Sequence, residues 1–210
     1  MNITDITPFY QWNTSNVTNA TRMFAGSGVN NAPQISEIDL EGFGHPDGYK
    51  AYSMFYFSPV HTIKNIHPVG DVLGMFQYCS NLREIINLNT SKVTSMSYMF
   101  AYCSSLTSIP LLNTSVATNM SGMFQSCYSL QTVPALDTSA ATNMTSMFQY
   151  CPSLQTIDLS KWNFSSTSGS NGMFNQCYAL NRFIVREFGA GTVIYANPFA
   201  NAYRIAGTTN

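Results

Sequence analysis

The pair Met-Phe occurs at 23–24, 54–55, 75–76, 99–100, 123–124, 147–148 and 173–174, and the last four steps are 24, 24, 24 and 26 residues. A sustained period of this length is the strongest constraint in the chain, because so short a unit cannot bury its own apolar side chains. Other positions keep the same phase. Three residues after the Phe stands Cys79, Cys103, Cys127, Cys151 or Cys177, and three further on Leu82, Leu106, Leu130, Leu154 or Leu180. Three beyond that is Ile85, Ile109, Val133, Ile157 or Phe183. Units with so many apolar positions in phase must stack and share one core.

One unit is read from Asn89 to Leu112. Met96, Met99, Phe100 and Cys103 fall at i, i+3, i+4 and i+7, which predicts a helix of about two turns on that face. A helix that short leans on its neighbours for stability. The segment Leu106–Leu112 suits a short extended stretch, with Pro110 and Pro134 stopping any helix from running on. Asn113-Thr114-Ser115 and its equivalents read as the turn and the helix entry, since their side chains bond local backbone. The fold expected is α/β: a right-handed leucine-rich-repeat-like solenoid of about seven coils, each a short strand plus a short helix. Residues 13–183 form the repeats, with 13–68 degenerate and 69–183 regular. Ser58 and His61 replace the cysteine and leucine of the second unit, and Gly42–Tyr49 reads as a loop. Residues 1–12 and 184–210 lack the pattern and are expected to cap the two ends.

The phrases NTSKVTSMSYMF (89–100), NTSVATNMSGMF (113–124), DTSAATNMTSMF (137–148) and IDLSKWNFSS (157–166) resemble the BspA-like leucine-rich-repeat surface proteins. The resemblance covers 69–183 well and 13–68 loosely. It implies the right-handed leucine-rich-repeat-type winding. It also implies a non-enzymatic binding or adhesion role at a cell surface, outside the cell or on a phage virion, with a protein or glycan on a host or neighbouring cell as partner. No catalytic residue transfers from it. A structural component of a surface layer or phage particle is the second reading.

Charge excludes other classes. Only 9% of residues are Asp, Glu, Lys or Arg and the net charge is −1, against about 25% charged residues in an ordinary soluble domain. A chain without a basic run lacks the electrostatic footprint of a nucleic-acid binder or of a partner for anionic lipid. No apolar stretch approaches the ~20 residues that would cross a bilayer, so no membrane insertion is expected. The opening Met1-Asn2-Ile3-Thr4-Asp5 has neither the charged nor the apolar region of a signal peptide.

Chemistry-bearing residues are few. The five cysteines lack the close Cys or His pairs of a zinc site. Their phase would stack them about 4.8 Å apart, within disulfide reach, yet a core-facing position favours reduced thiols acting as small hydrophobes. His45, His61 and His67 match no ligand spacing, and no G-x-S-x-G elbow surrounds a serine. No metal, cofactor or catalytic residue is therefore assigned. The nine N-x-S/T triplets fall at repeated turn phases, and turn chemistry accounts for them. Tyr78, Tyr102 and Tyr150 precede the cysteine in three units, where part of each ring should reach solvent. On a surface poor in charge these three are the candidate ligand contacts.

Overall fold

The computed structural model describes residues 13–26, 36–163 and 172–184, the Phe183 side chain excepted. Seven short strands occur in them: β1 (Glu37–Asp39), β2 (Thr62–Ile66), β3 (Gly70–Asp71), β4 (Glu84–Leu88), β5 (Val93–Ser95), β6 (Thr156–Asp158) and β7 (Arg182–Ile184). Every pairing between them is parallel, and each joins one repeat to the next. β1, β2 and β4 form one sheet in that order, with Ile38, Ile63 and Ile85 in register. β3 pairs with β5, and single bridges carry that line on through Ser95, Asn119 and Asn143. β6 pairs with β7. Between β4 and β6 the first line holds only the bridge from Thr132 to Thr156. Pro110 and Pro134 stand there, and proline has no N–H to give the ladder. Parallel pairing across a fixed period puts like residues above like, so the core is a set of columns.

The longest column is aromatic. Phe24, Phe55, Phe76, Phe100, Phe124, Phe148 and Phe174 stack in chain order, with neighbouring ring centroids 5.2 to 5.5 Å apart and planes within 18°. Phe55 through Phe174 are fully buried. Methionines 75, 99, 123, 147 and 173 and leucines 82, 106, 130 and 154 line the core in parallel columns. The irregular first repeats join the same ladder, because Phe24 N–H donates to the Met54 carbonyl and Phe55 N–H to the Met75 carbonyl, both at 2.8 Å.

The helix expected in each repeat is replaced by a run of tight turns, and no helix occurs among the described residues. In an α-helix each N–H reaches the carbonyl four residues back. Here Met99, Ala101 and Cys103 donate three residues back, to Met96, Tyr98 and Phe100. The alternate groups Tyr98, Phe100 and Tyr102 donate instead to Ser121, Met123 and Gln125 of the next repeat, at 2.7 to 2.9 Å. Tyr98 and Tyr102 have φ of 53° and 63°, as the third residue of a type II turn requires. Gly122 and Ser126 repeat this at 59° each. The turns keep Met96, Met99, Phe100 and Cys103 all inward. They also place half of the N–H groups along the stacking axis, where a helix of two turns would leave its ends unpaired. Glycine at 122 has a second cause: a Cβ there would lie 2.4 Å from the Tyr98 ring.

The cysteines form a thiol column. All five are free and buried. Each thiol donates to a phenylalanine carbonyl of the repeat before it: Cys79 to Phe55, Cys103 to Phe76, Cys127 to Phe100, Cys151 to Phe124 and Cys177 to Phe148, at 2.9 to 3.1 Å. The Phe76 carbonyl thus accepts both Cys79 N–H and the Cys103 thiol, using both lone pairs. Burial pushes the thiols of Cys79, Cys127 and Cys177 from 9.0 up to about 12, and those of Cys103 and Cys151 well above 9.0. The thiolate is the reactive form, so the native chain should resist iodoacetamide at pH 8, while denaturant without reductant exposes five reactive thiols. Intact mass reads both states, and four missing labels in denaturant would mean two disulfides. Thiols raised in the fold favour the unfolded chain once pH passes 9.0. Stability should be intact below that value and fall as pH rises toward 12. A Cys103→Ala/Cys127→Ala variant should show a shallower fall.

The caps expected at 1–12 and 184–210 lie outside the described residues, except Ile184 at the end of β7.

Candidate functional site

The turn that follows each buried Phe bends at the residue two positions on. In chain order this phase holds Phe57, Tyr78, Tyr102, Ser126, Tyr150 and Gln176. All six have positive φ, between 58° and 64°, so the same backbone bend presents each of them. Phe57 stacks on Tyr78 at 4.4 Å and 4°, and Tyr78 on Tyr102 at 4.5 Å and 14°. Tyr56 stands edge-on to Phe57 and Tyr78, with the Arg22 guanidinium 6.0 Å above its ring. Burial first, then the neighbouring Tyr102 and Tyr56, holds the Tyr78 phenol above its ordinary value. Phenols kept neutral at physiological pH retain a proton to donate.

The structure therefore brings Tyr78 and Tyr102 together and leaves Tyr150 apart. Ser126, small and buried, occupies the intervening phase and breaks the row. Tyr150 is 38% exposed and belongs to no stack with the other two. Phe57 and Tyr56 complete the patch and were not among the residues read from the sequence. The signal for Phe57 was present, two residues after Phe55, but Ser58 in place of the cysteine hid the phase. Stacked rings use their faces on one another, so this strip offers edges and hydroxyls to a partner.

A second surface lies at the Asn-Thr-Ser corners. A cavity of about 580 Å³ is bordered by Ser15, the Gly42–Asp47 turn, His67, Asn89, Ser91 and Lys92. A second cavity of about 540 Å³ is bordered by Asn89, Ser91, Leu111, Asn113, Ser115, Asp137 and Lys161. They share Asn89 and Ser91 and so form one trough along successive repeats. Buried Thr90 and Thr114 tie its floor, donating to the carbonyls of Asn113 and Asp137 in the next repeat at 2.8 and 2.7 Å. Tyr49 supports the first end from beneath, edge-on to Phe43 and His67 at 5.0 and 5.1 Å. Gly44 admits that ring, since a Cβ there would lie 2.3 Å from it, and its φ is +85°. Charged side chains line both cavities: Lys92 Nζ donates to the Asp47 carbonyl at 3.0 Å and lies 3.7 Å from its carboxylate in the first, and Asp137 and Lys161 border the second. Hydrogen bonds from Ser139 hold the Asp137 carboxyl below its ordinary value, so it is ionised.

The three histidines do not meet. His45 Nδ1 accepts from Asp47 N–H at 3.1 Å, His67 packs on Tyr49, and His61 sits apart, at the start of the β2 line. Among the described residues no three His, Cys, Asp or Glu side chains are grouped as a metal ion would need. No helix among them is long and apolar enough to cross a membrane.

A family model described as "Mycoplasma protein of unknown function, DUF285" matches residues 4–60, 49–132 and 107–202, so its overlapping matches run through all the repeats. Comparison with curated proteins and with solved structures finds no match.

Proposed function

We propose, on the premise that this chain belongs to the DUF285 family of proteins of unknown function, that it is a non-enzymatic binding module acting outside the cell or on a phage particle. The architecture we infer with it is a right-handed leucine-rich-repeat-type solenoid. The family's matches recur through this chain, which is consistent with the BspA-like resemblance. The observation that carries the reading is the half-exposed strip Phe57–Tyr78–Tyr102. It is an ordered aromatic row on a chain with net charge −1, where long-range steering is weak and recognition rests on shape, hydrogen bonds and aromatic contact. The partner proposed is a protein or glycan on a host or neighbouring cell.

The test uses the backbone of the strip. Tyr78 and Tyr102 occupy left-handed conformations of 64° and 63°, which asparagine tolerates better than most residues. A Tyr78→Asn/Tyr102→Asn variant removes two rings without adding backbone strain. Arrays of host surface proteins and glycans probed with the wild-type chain should yield a ligand. The double variant should keep its circular dichroism and bind that ligand at least tenfold less, which is about 1.4 kcal/mol. A variant that unfolds would make the tyrosines packing residues, and one that binds as before would move the contact elsewhere.

A further inference from the structure

We propose that four tyrosines on the last four repeats form a track for a proline-rich segment of a partner protein, held in the polyproline II conformation. The inference rests on the binding-module reading and names a partner for it. Tyr102 and Tyr150 stand one residue before the buried cysteine of their repeats, and Tyr128 and Tyr178 one residue after it. The track therefore carries one tyrosine per repeat, on alternate sides of the cysteine column. Across that column from each tyrosine stands Ser104, Ser126, Pro152 or Gln176. The four turns are tied directly to one another: Tyr102, Ser126 and Tyr150 N–H donate to the carbonyls of Gln125, Gln149 and Asn175, at 2.7 to 2.8 Å. Tyr128, Tyr150 and Tyr178 are 49, 38 and 65% exposed. The Tyr178 hydroxyl donates to Gln176 Oε1 at 2.9 Å, which ties it to the residue across the column.

Spacing and charge select the occupant. Tyrosines on the same side of the column are two repeats apart. Rings at neighbouring repeats of the Tyr102 phase lie 4.4 and 4.5 Å apart, and stacked parallel backbone repeats at about 4.8 Å, so two repeats span about 9–10 Å. A polyproline II helix has three residues per turn and rises about 3.1 Å per residue, so one face recurs every ~9.3 Å. An extended strand returns to the same side every ~6.7 Å, and two turns of α-helix span ~10.8 Å, so neither keeps this step. The turn runs 96–106, 120–130, 144–154 and 172–181 contain no Asp, Glu, Lys or Arg. A nucleic-acid strand also stacks on tyrosines, but its phosphates would find no cation in these runs. A polyproline II chain needs none. Its pyrrolidine rings lay C–H faces on the phenol rings, and its carbonyls, which have no internal partner, accept from phenol hydroxyls. Being preformed, it gives up little entropy on docking.

The test uses a substitution that the chain already carries. Serine stands at 80 and 104 in the phase of Tyr128 and Tyr178, so Tyr128→Ser/Tyr178→Ser suits the turn. Leu111→Ser removes an apolar side chain, 75% exposed, away from the track and serves as control. A nonaproline peptide, a glycine-serine peptide of the same length and cellohexaose would be titrated calorimetrically and by NMR. Nonaproline should bind the wild type and Leu111→Ser alike, its C–H resonances moving upfield as they come to lie over rings. It should bind Tyr128→Ser/Tyr178→Ser at least tenfold more weakly, with circular dichroism unchanged. If the pair unfolds, Tyr178→Ser alone should weaken binding at least threefold, and unchanged binding there overturns the proposal. Failure of nonaproline to bind, equal binding by the glycine-serine peptide, or equal binding by the folded double variant also overturns it. So does cellohexaose binding that the double variant loses, which would make the track a sugar site. The aromatic strip is judged separately. An array ligand lost in Tyr78→Asn/Tyr102→Asn and kept in Tyr128→Ser/Tyr178→Ser, with nonaproline unbound, overturns the track and leaves the binding module standing.

Discussion

Phe124→Ala should lower the free energy of unfolding by about 3–5 kcal/mol, the usual cost of emptying an aromatic site in a core. Phe124 is fully buried in the middle of the ring column, 5.5 Å from Phe100 and 5.2 Å from Phe148. Its removal loses transfer energy and two stacked contacts, each worth about 0.5–1.5 kcal/mol beyond area. The walls cannot close the gap. The backbone of the repeat is held by Phe124 N–H on the Met147 carbonyl and by the Cys151 thiol on the Phe124 carbonyl, at 2.8 and 3.0 Å. A cavity that cannot collapse sits at the costly end of the range. Phe24 stacks on Phe55 but is only partly buried, so Phe24→Ala should cost less than Phe124→Ala. Urea titrations of the two variants give both numbers. A loss below about 1 kcal/mol at Phe124 would mean that the column does not hold the repeats together.

What was legible in the sequence was the phase of the core. Phe, Cys, Leu and Ile recur at fixed offsets, and burial follows those offsets whatever the backbone does between them. Cys103 was placed correctly inside for that reason. The backbone was not legible. Apolar residues at i, i+3, i+4 and i+7 mark one face of a helix, and a run of turns with a left-handed residue every fourth position puts the same four inside. The only cue was glycine before the Met-Phe pair, at 74, 122 and 172, each with positive φ. Tyr98 and Ser146 fill that position elsewhere with φ of 53° and 55° and gave no such signal. The candidate surfaces divide in the same way. Tyr78 and Tyr102 share a phase, so their meeting was readable. The trough joins Ser15, Asp47, Asn89 and Asp137, which only stacking brings to one side.

Removing one whole period should leave a folded protein, while removing half a period should abolish folding. Deletion of 113–136 takes out 24 residues and joins Leu112 to Asp137. Asp137-Thr138-Ser139 has the phase of Asn113-Thr114-Ser115, so the Thr90 hydroxyl that donated to the Asn113 carbonyl finds the Asp137 carbonyl in its place. Phe100 then meets Phe148, and Cys151 meets the Phe100 carbonyl that Cys127 used before. The excised repeat also carries Ser126, so Tyr150 moves next to Tyr102 and the aromatic strip gains a fourth ring. Stability in stacked repeats is close to a sum of unit and nearest-neighbour terms, so one lost interface should lower the denaturation midpoint while the transition stays cooperative. Deletion of 113–124 removes 12 residues and shifts everything beyond by half a turn of the stack. Gln125 would then follow Leu112, Phe100 would lose its aromatic neighbour at 124, and the thiols of Cys127 and Cys151 would lose their carbonyls. With alternate N–H groups of the turns paired to the next repeat, that shift strands a row of buried donors at the junction at about 1–3 kcal/mol apiece. Several such losses exceed the 5–15 kcal/mol by which a domain is stable. Circular dichroism and urea titration of the two deletions decide it: a cooperative transition in both would show that the repeats tolerate any register, and loss of folding in both would show that the 24-residue unit is not an independent module.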